Sequence, residues 1–305
     1  MSALGRILSW PWEYLLILGA LVGSNFLPTR PSGPCQPWPG GGQDFVQYLG
    51  QATALLRLSG AHLITDPMFS RRFSFAKIVK RRTQPPLEVS GLPPIDLVLL
   101  SHAHGDHLDL PSLRAIAAAS PAPLTIVGAP GVAGYAKAKL EPEHKVRAIN
   151  LAWGKAVQVG RLVVAAWPGK HLGGRHWLTL DFNKYKYCGF VIQSPERAVF
   201  FPGDSGRHPA FAELPERFDL DLALMPIDAF NRRDFLRPRH MSPEDALDIF
   251  RQSGAKRMVP VHWGTFTLCN EPLDLAQKRL AAALAGNPGL AAKVHNLPLG
   301  HVLPL

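Results

Sequence analysis

The chain has 305 residues and a formal net charge of +10, with 47% hydrophobic and 18% charged residues. That balance excludes a disordered chain and allows a sizeable core in one large α/β domain. The positive excess favours anionic partners such as acidic lipid headgroups or phosphorylated substrates. No interleaving of basic and aromatic residues marks a single-strand nucleic-acid binder, so no specific nucleic-acid partner is expected.

Taken in order, the chain begins with an apolar run, "EYLLILGALVGSNFL", that carries no charge after Glu13. It is short of the ~20 apolar residues that a spanning helix needs. Three readings stand side by side: a membrane anchor or interfacial helix, a signal-peptide core, and an apolar helix packed on the domain. A Pro/Gly-rich run, "PTRPSGPCQPWPGGG", follows. It divides an N-terminal segment, residues 1–42, from a main domain over 43–305.

Strands are expected at 45–49, 54–58 and 61–65, the last two joined through "SGA". A basic, proline-rich excursion covers 70–94, and its densest part, "KIVKRR", reads equally as a solvated loop or a phosphate-facing patch. The continuous apolar run 95–100 is that of a strand buried on both faces. A helix follows from about Pro111, with Asp109 as its N-cap.

Further strands are expected at 124–127, 156–159, 162–166, 187–193, 198–201, 222–225 and 258–261. Helices are expected in "GVAGYAKAKL", "SPEDALDIFRQSG" and "PLDLAQKRLAAALAG". In the second of these Ser242 caps, Pro243 takes the first turn, Asp245 sits three residues after the cap and Gly254 stops the helix. Strands alternating with helices in this way make an α/β layered sandwich. Cys35, Cys188 and Cys269 form no disulfide framework or metal spacing, and Cys188 suits a small buried position.

The chemistry gathers in "SHAHGDHLD". His102, His104, Asp106 and His107 are the imidazole and carboxylate donors that zinc prefers. Alternation in an extended loop puts His102 and His104 on one side, and Gly105 gives the backbone freedom to turn Asp106 and His107 to a second position. Four such residues serve at most part of two metal shells, so other donors must come from elsewhere. Several expected strands end in a ligand-type residue: Asp66 after 63–65, His171 after 162–166, Asp204 after 198–201 and His262 after 258–261. Strand ends on one sheet edge can converge on one cleft.

"SHAHGDHLD", "HLITDP", "PGKH", "FPGDSG" and "VHWGTF" together resemble the metallo-β-lactamase superfamily of hydrolases. "YLGQAT", "DPMFS", "GDSGRHPAF", "RHMSPEDAL" and "HWGTFTL" narrow the resemblance to the N-acyl-phosphatidylethanolamine-hydrolysing phospholipase D branch and its bacterial relatives. It covers roughly residues 45–301. The resemblance implies a four-layer αββα sandwich and two metals, usually zinc, with other divalent transition metals able to substitute. On its motifs His102, His104 and His171 hold the first metal, and Asp106, His107 and His262 the second. Asp204 bridges both, and Asp66 steadies the histidine loop from behind. The context "P-x-x-H" favours His171 over its rival His176. Asp106 also holds the nucleophile, and His240 takes a substrate or leaving-group role.

The sequence departs from the branch at Gln51, where histidine is usual, and at Asp228, where glycine is usual. Asp228 follows the 222–225 strand and is read as projecting toward the cleft, to meet His240 or a cationic substrate group. These departures leave the metal ligands intact and the lipid substrate open. The leading expectation is a zinc phosphodiesterase acting on a phospholipid-like molecule at a membrane surface, on either the cytoplasmic or the periplasmic side. Two alternatives remain: hydrolysis of another ester, lactone or phosphodiester with the same metals, and a metal-stabilised, membrane-associated binding protein without catalysis.

Overall fold

Two stacked sheets, built from successive halves of the chain, set the architecture. The computed structural model describes residues 26–73, 77–175, 184–230, 238–269 and 271–305, together with Gly19 and Gly23. The first half contributes β1 (Phe45–Gly50), β2 (Thr53–Leu58), β3 (Ala61–Thr65), β4 (Arg72–Phe73), β5 (Val79–Lys80), β6 (Leu97–Leu100), β7 (Leu124–Gly128) and β8 (Val146–Asn150). The second contributes β9 (Ala156–Val159), β10 (Leu162–Trp167), β11 (Gly189–Gln193), β12 (Ala198–Phe201), β13 (Leu222–Pro226) and β14 (Arg257–Val261). The last strand, β15 (Val302–Pro304), returns to the first sheet beside β1. The strand orders are β15-β1-β2-β3-β6-β7-β8 and β14-β13-β12-β11-β10-β9, and β4 pairs with β5 in a separate ribbon.

Helices α1 (Leu110–Ala119) and α2 (Val132–Leu140) lie between strands of the first sheet, and α2 packs on β7 and β8. A short α3 (Leu214–Arg217) precedes β13, and α4 (Pro243–Gln252) packs on β13 and on α5 (Leu275–Leu284). These layers make the αββα sandwich that the resemblance implies. The two inner faces share one continuous core, in which all four residues of β6 are fully buried.

Local chemistry explains the element ends. Ser59 and Gly60, at φ 48° and 87°, give the turn between β2 and β3 the positive-φ backbone whose twist matches the right-handed twist of the flanking strands. Asp109 caps α1 by accepting from the Ser112 N–H. Ser242 and Asp245 form a reciprocal capping box at the start of α4, and Gly254, at φ 70°, lets the chain leave it.

Strand direction decides where the chemistry collects. β3 and β6 are parallel, as are β12, β13 and β14. β10 is antiparallel to β11, which is antiparallel to β12, so β10 runs the same way as β12. The residues following β3 and β6 therefore emerge on one edge of the first sheet. Those following β10, β12, β13 and β14 emerge on one edge of the second.

Three features were not expected. β8 and β15 are edge strands, and β4–β5 is a small ribbon within the basic excursion. Arg81 in that excursion is interior: its guanidinium donates to the carbonyls of Ser70, Thr83 and Met68 and lies 5.2 Å from the Phe266 ring centroid. At Arg81 the stretch is therefore neither solvated nor open to phosphate. The Pro/Gly-rich run is docked along the domain. Arg30 bridges to Thr83, Gln36 bonds to the backbone of Gly300 and Val302, and Trp38 stacks on Phe45 at 6.3 Å. Most of the apolar N-terminal run lies outside the described residues, and among those described no helix is long and apolar enough to cross a membrane.

Candidate metal centre

Every ligand-type residue singled out from the sequence, His176 apart, meets at the shared edge. His176 lies outside the described residues. In the turn after β6, the N–H groups of His107 and Leu108 donate to the His104 carbonyl at 3.1 and 2.9 Å. Gly105 is not left-handed, so these bonds, rather than glycine freedom, turn Asp106 and His107 away from His102 and His104. Arg175 fixes the loop from outside by donating to the carbonyls of Ala103 and Leu108 at 2.8 and 2.6 Å.

The donors fall into two sets, each with its ligand atoms within 4.8 Å of one another: His102, His104 and His171 in one, and Asp106, His107, Asp204 and His262 in the other. In the first, His104 Nδ1 lies 2.9 Å from His102 Nε2 and 3.1 Å from His171 Nε2. In the second, Asp204 stands 3.2 Å from both His107 Nε2 and His262 Nε2, and Asp106 Oδ2 lies 3.4 and 3.6 Å from the same two nitrogens. Asp204 Oδ2 also lies 4.0 Å from His102 Nε2 and 3.9 Å from His171 Nε2. Its carboxylate therefore faces both sets.

Partners behind the donors fix which nitrogen faces inward. Asp66, fully buried, accepts from the Ser101 N–H at 2.8 Å and from the Ser101 hydroxyl at 2.5 Å, and contacts His107 Nδ1 at 2.7 Å. A proton on that Nδ1 leaves the His107 Nε2 lone pair for a cation. Ser101 Oγ lies 2.9 Å from His102 Nδ1, and the Arg239 carbonyl lies 3.0 Å from His171 Nδ1, so both rings present Nε2 to the cleft. Ser205 ties the His171 loop to the Asp204 loop by accepting from the Lys170 N–H at 2.8 Å.

The electrostatics suit a cation. Burial, helped by neighbouring imidazoles, holds His102 well below the ordinary histidine value, and burial does the same for His171 against the pull of Asp204. Both therefore offer neutral lone pairs. Burial raises Asp106 and Asp204, but their interactions with His107 and His262 together outweigh it and keep both carboxylates well below their ordinary value. Burial lowers His262, yet Asp204 and a hydrogen bond donated to Asp106 push it up to about 10. A metal at this second set must displace protons. His107 Nε2 and Asp204 Oδ1 are buried and make no hydrogen bond among the described residues. An orphaned buried donor or acceptor costs about 1–3 kcal/mol, and coordination would remove that cost. The residues therefore fit divalent metal.

The backbone is strained at the same place. Gln51, Asp66 and His262 have φ of 51°, 34° and 61°, which side-chain-bearing residues rarely adopt. Gly203 (φ 61°) allows the Asp204 loop to approach, since a Cβ there would lie 2.5 Å from Ser101 Cβ.

His240 sits at the cleft with Nδ1 3.8 Å from Asp204 Oδ2 and its ring perpendicular to His171 at 5.0 Å. Burial outweighs the pull of Asp204 and brings it down to about 4, so it is a neutral imidazole at ordinary pH. Asp228 does not meet His240 as expected. Its side chain bonds to Glu271, and burial followed by that neighbour holds it well above the ordinary carboxylate value. Its link to the centre is electrostatic, through the His262 charge. Ser101, Ser205 and Arg175 were not read from the sequence as parts of the site. "GDSG" and the serine before His102 carried only a family signal.

A family model described as the beta-lactamase superfamily domain matches residues 62–263. An uncharacterized protein of Mycobacterium tuberculosis is 34% identical over 78% of this chain and 63% of its own length. An N-acyl-phosphatidylethanolamine-hydrolyzing phospholipase D of Caenorhabditis elegans is 30% identical over 73% of this chain and 65% of its own. The chain thus spans less than two thirds of these relatives. A metal-dependent hydrolase of Exiguobacterium is 30% identical over 72% of this chain and 86% of its own. Among solved structures, an isothiocyanate hydrolase from Delia radicum gut bacteria shares the fold at a TM-score of 0.66 and 19% identity, covering 86% of this chain and 99% of that one.

Proposed function

The chain belongs to the metallo-β-lactamase superfamily of metal-dependent hydrolases, and we propose that it is a dinuclear zinc phosphodiesterase acting on a phospholipid-like substrate. The observation that carries the two-metal part is the Asp204 carboxylate, which lies within 4.0 Å of donors in both sets. The phosphodiester part rests on the likeness to the phospholipase D of C. elegans and on the net charge of +10. A pair of divalent cations would supply a water of lowered pKa and neutralise charge developing on the substrate oxygens.

The chain's own residues do the rest. His102, His104 and His171 would hold the first cation, and Asp106, His107 and His262 the second, with Asp204 between them. Asp106, ionised and buried, holds the attacking water by hydrogen bond as well. His240, neutral at working pH, donates an N–H toward the leaving oxygen or binds the substrate headgroup. The net charge of +10 and the apolar run at the start of the sequence support action at an anionic membrane surface.

Replacing His240 with alanine is expected to lower kcat by roughly 100-fold with KM and zinc content little changed, the scale of losing one preorganised hydrogen-bond donor at a developing charge. An unchanged kcat removes His240 from the chemistry. The reading as a whole is tested by hydrolysis of N-acylated phospholipids, simple phosphodiesters, esters and lactones, each with and without chelator. Chelator-sensitive cleavage of the phosphodiesters is expected. Cleavage confined to esters or lactones would overturn the substrate class, and no chelator effect would overturn the metal mechanism.

A further inference from the structure

We propose that Gln51 weakens the second metal position relative to the first. The inference rests on the two-metal reading above. Gln51 follows β1 in the turn to β2 and is 1% exposed. Its side-chain Nε2 lies 2.8 Å from Asp106 Oδ2 and 2.8 Å from His262 Nε2. Both atoms belong to the second donor set, and neither belongs to the first.

A primary amide has two N–H groups. The one toward Asp106 donates to the carboxylate. The other donates to His262 Nε2 when that imidazole is neutral with its proton on Nδ1, the same tautomer a metal requires. The amide therefore addresses the lone pairs that a cation would take, and metal binding there has to displace two hydrogen bonds. Among the described residues no contact of this kind reaches His102, His104 or His171, whose hydrogen-bond partners there are Ser101, Arg239 and one another.

The amide is not free to retreat. The Gln51 N–H donates to Thr265 Oγ1 at 2.7 Å, and its carbonyl accepts from the His262 N–H at 2.6 Å. Its φ of 51° is held by that frame. Gly50 before it packs against the same threonine, where a Cβ would lie 2.9 Å from Thr265 Oγ1. Gln51 is thus tied at its backbone to His262, the ligand whose metal bond it contests.

The test is the zinc-binding isotherm of the full chain, measured by competition with a chromophoric chelator, without substrate. Gln51→Met keeps the volume and removes both donors. Gln51→Ala serves as a second variant should the first fail to fold, and circular dichroism checks both. The native chain is expected to bind two zinc ions in separate steps. The variants are expected to tighten the second step by about tenfold, the scale of the two hydrogen bonds that metal no longer has to displace, with the first step unchanged. An unchanged or weaker second step overturns the role of Gln51 while leaving two metals in place. A single step of one ion in the native chain overturns the two-metal reading, and this inference with it.

Discussion

Exchanging Asp204 for asparagine is expected to reduce hydrolysis by on the order of 1,000-fold, the scale of losing a preorganised charge at a reacting centre, and to lower the zinc stoichiometry below two per chain. The carboxylate faces both donor sets, lying within 4.0 Å of His102, His107, His171 and His262. Asparagine keeps the shape and removes the anion. His107 and His262, stacked at 5.2 Å, then lose the charge that balances them. The check is metal analysis and activity on the same purified sample. A variant with two tightly held zinc ions and native turnover would remove Asp204 from the bridging role.

Asp66→Ala should act through the fold first. Its side chain accepts from the Ser101 N–H and hydroxyl and holds His107 Nδ1, with no exposure to solvent. Removing it orphans these groups at the root of the histidine loop. Breaking a buried charged partnership of this kind costs about 3–5 kcal/mol, and loss of a group orienting a metal ligand weakens metal binding roughly 10–100-fold. Denaturant unfolding with an unchanged slope, together with zinc affinity, reads both effects. Asp66→Asn separates them. The amide oxygen can still accept from His107 or Ser101, so stability should recover in part while zinc affinity stays low. If zinc affinity is native in both variants, Asp66 is a fold residue only.

Local signals in the sequence were legible because local chemistry decides them. The Asp109 cap, the Ser242–Asp245 box and the apolar strand at β6 all follow from a few neighbouring residues. The convergence of Asp66, His102, His171, Asp204 and His262 was also readable, since parallel strands put their ends on one edge. What escaped depends on distant partners. β15 is three residues long and is a strand only because β1, more than 250 positions earlier, offers it an edge. Arg81 carries a charge that composition assigns to the surface, yet carbonyls from three loop residues draw it inside. Gln51 is visible as a departure from a family pattern, but an amide is not a metal-ligand type, and only its distance to Asp106 and His262 gives it meaning. Asp228 turned to Glu271, a residue whose proximity no spacing predicts.

The division of donors between the sheets has a mechanical consequence. His102, His104, Asp106 and His107 stand on the half that carries β6, whereas His171, Asp204 and His262 stand on the half that carries β10, β12 and β14. Neither half can complete a coordination shell alone, so cations bound there would clasp two slabs that aliphatic packing otherwise joins. A ligand that binds only the assembled state adds its own binding energy to that state, by about 2.7 kcal/mol at a hundredfold excess over Kd. The seam between the slabs is thus closed by grease along its length and riveted by charge at its mouth. On the proposed reading substrate would enter at the same mouth, so the strength of the rivet and the ease of entry would be set by the same atoms.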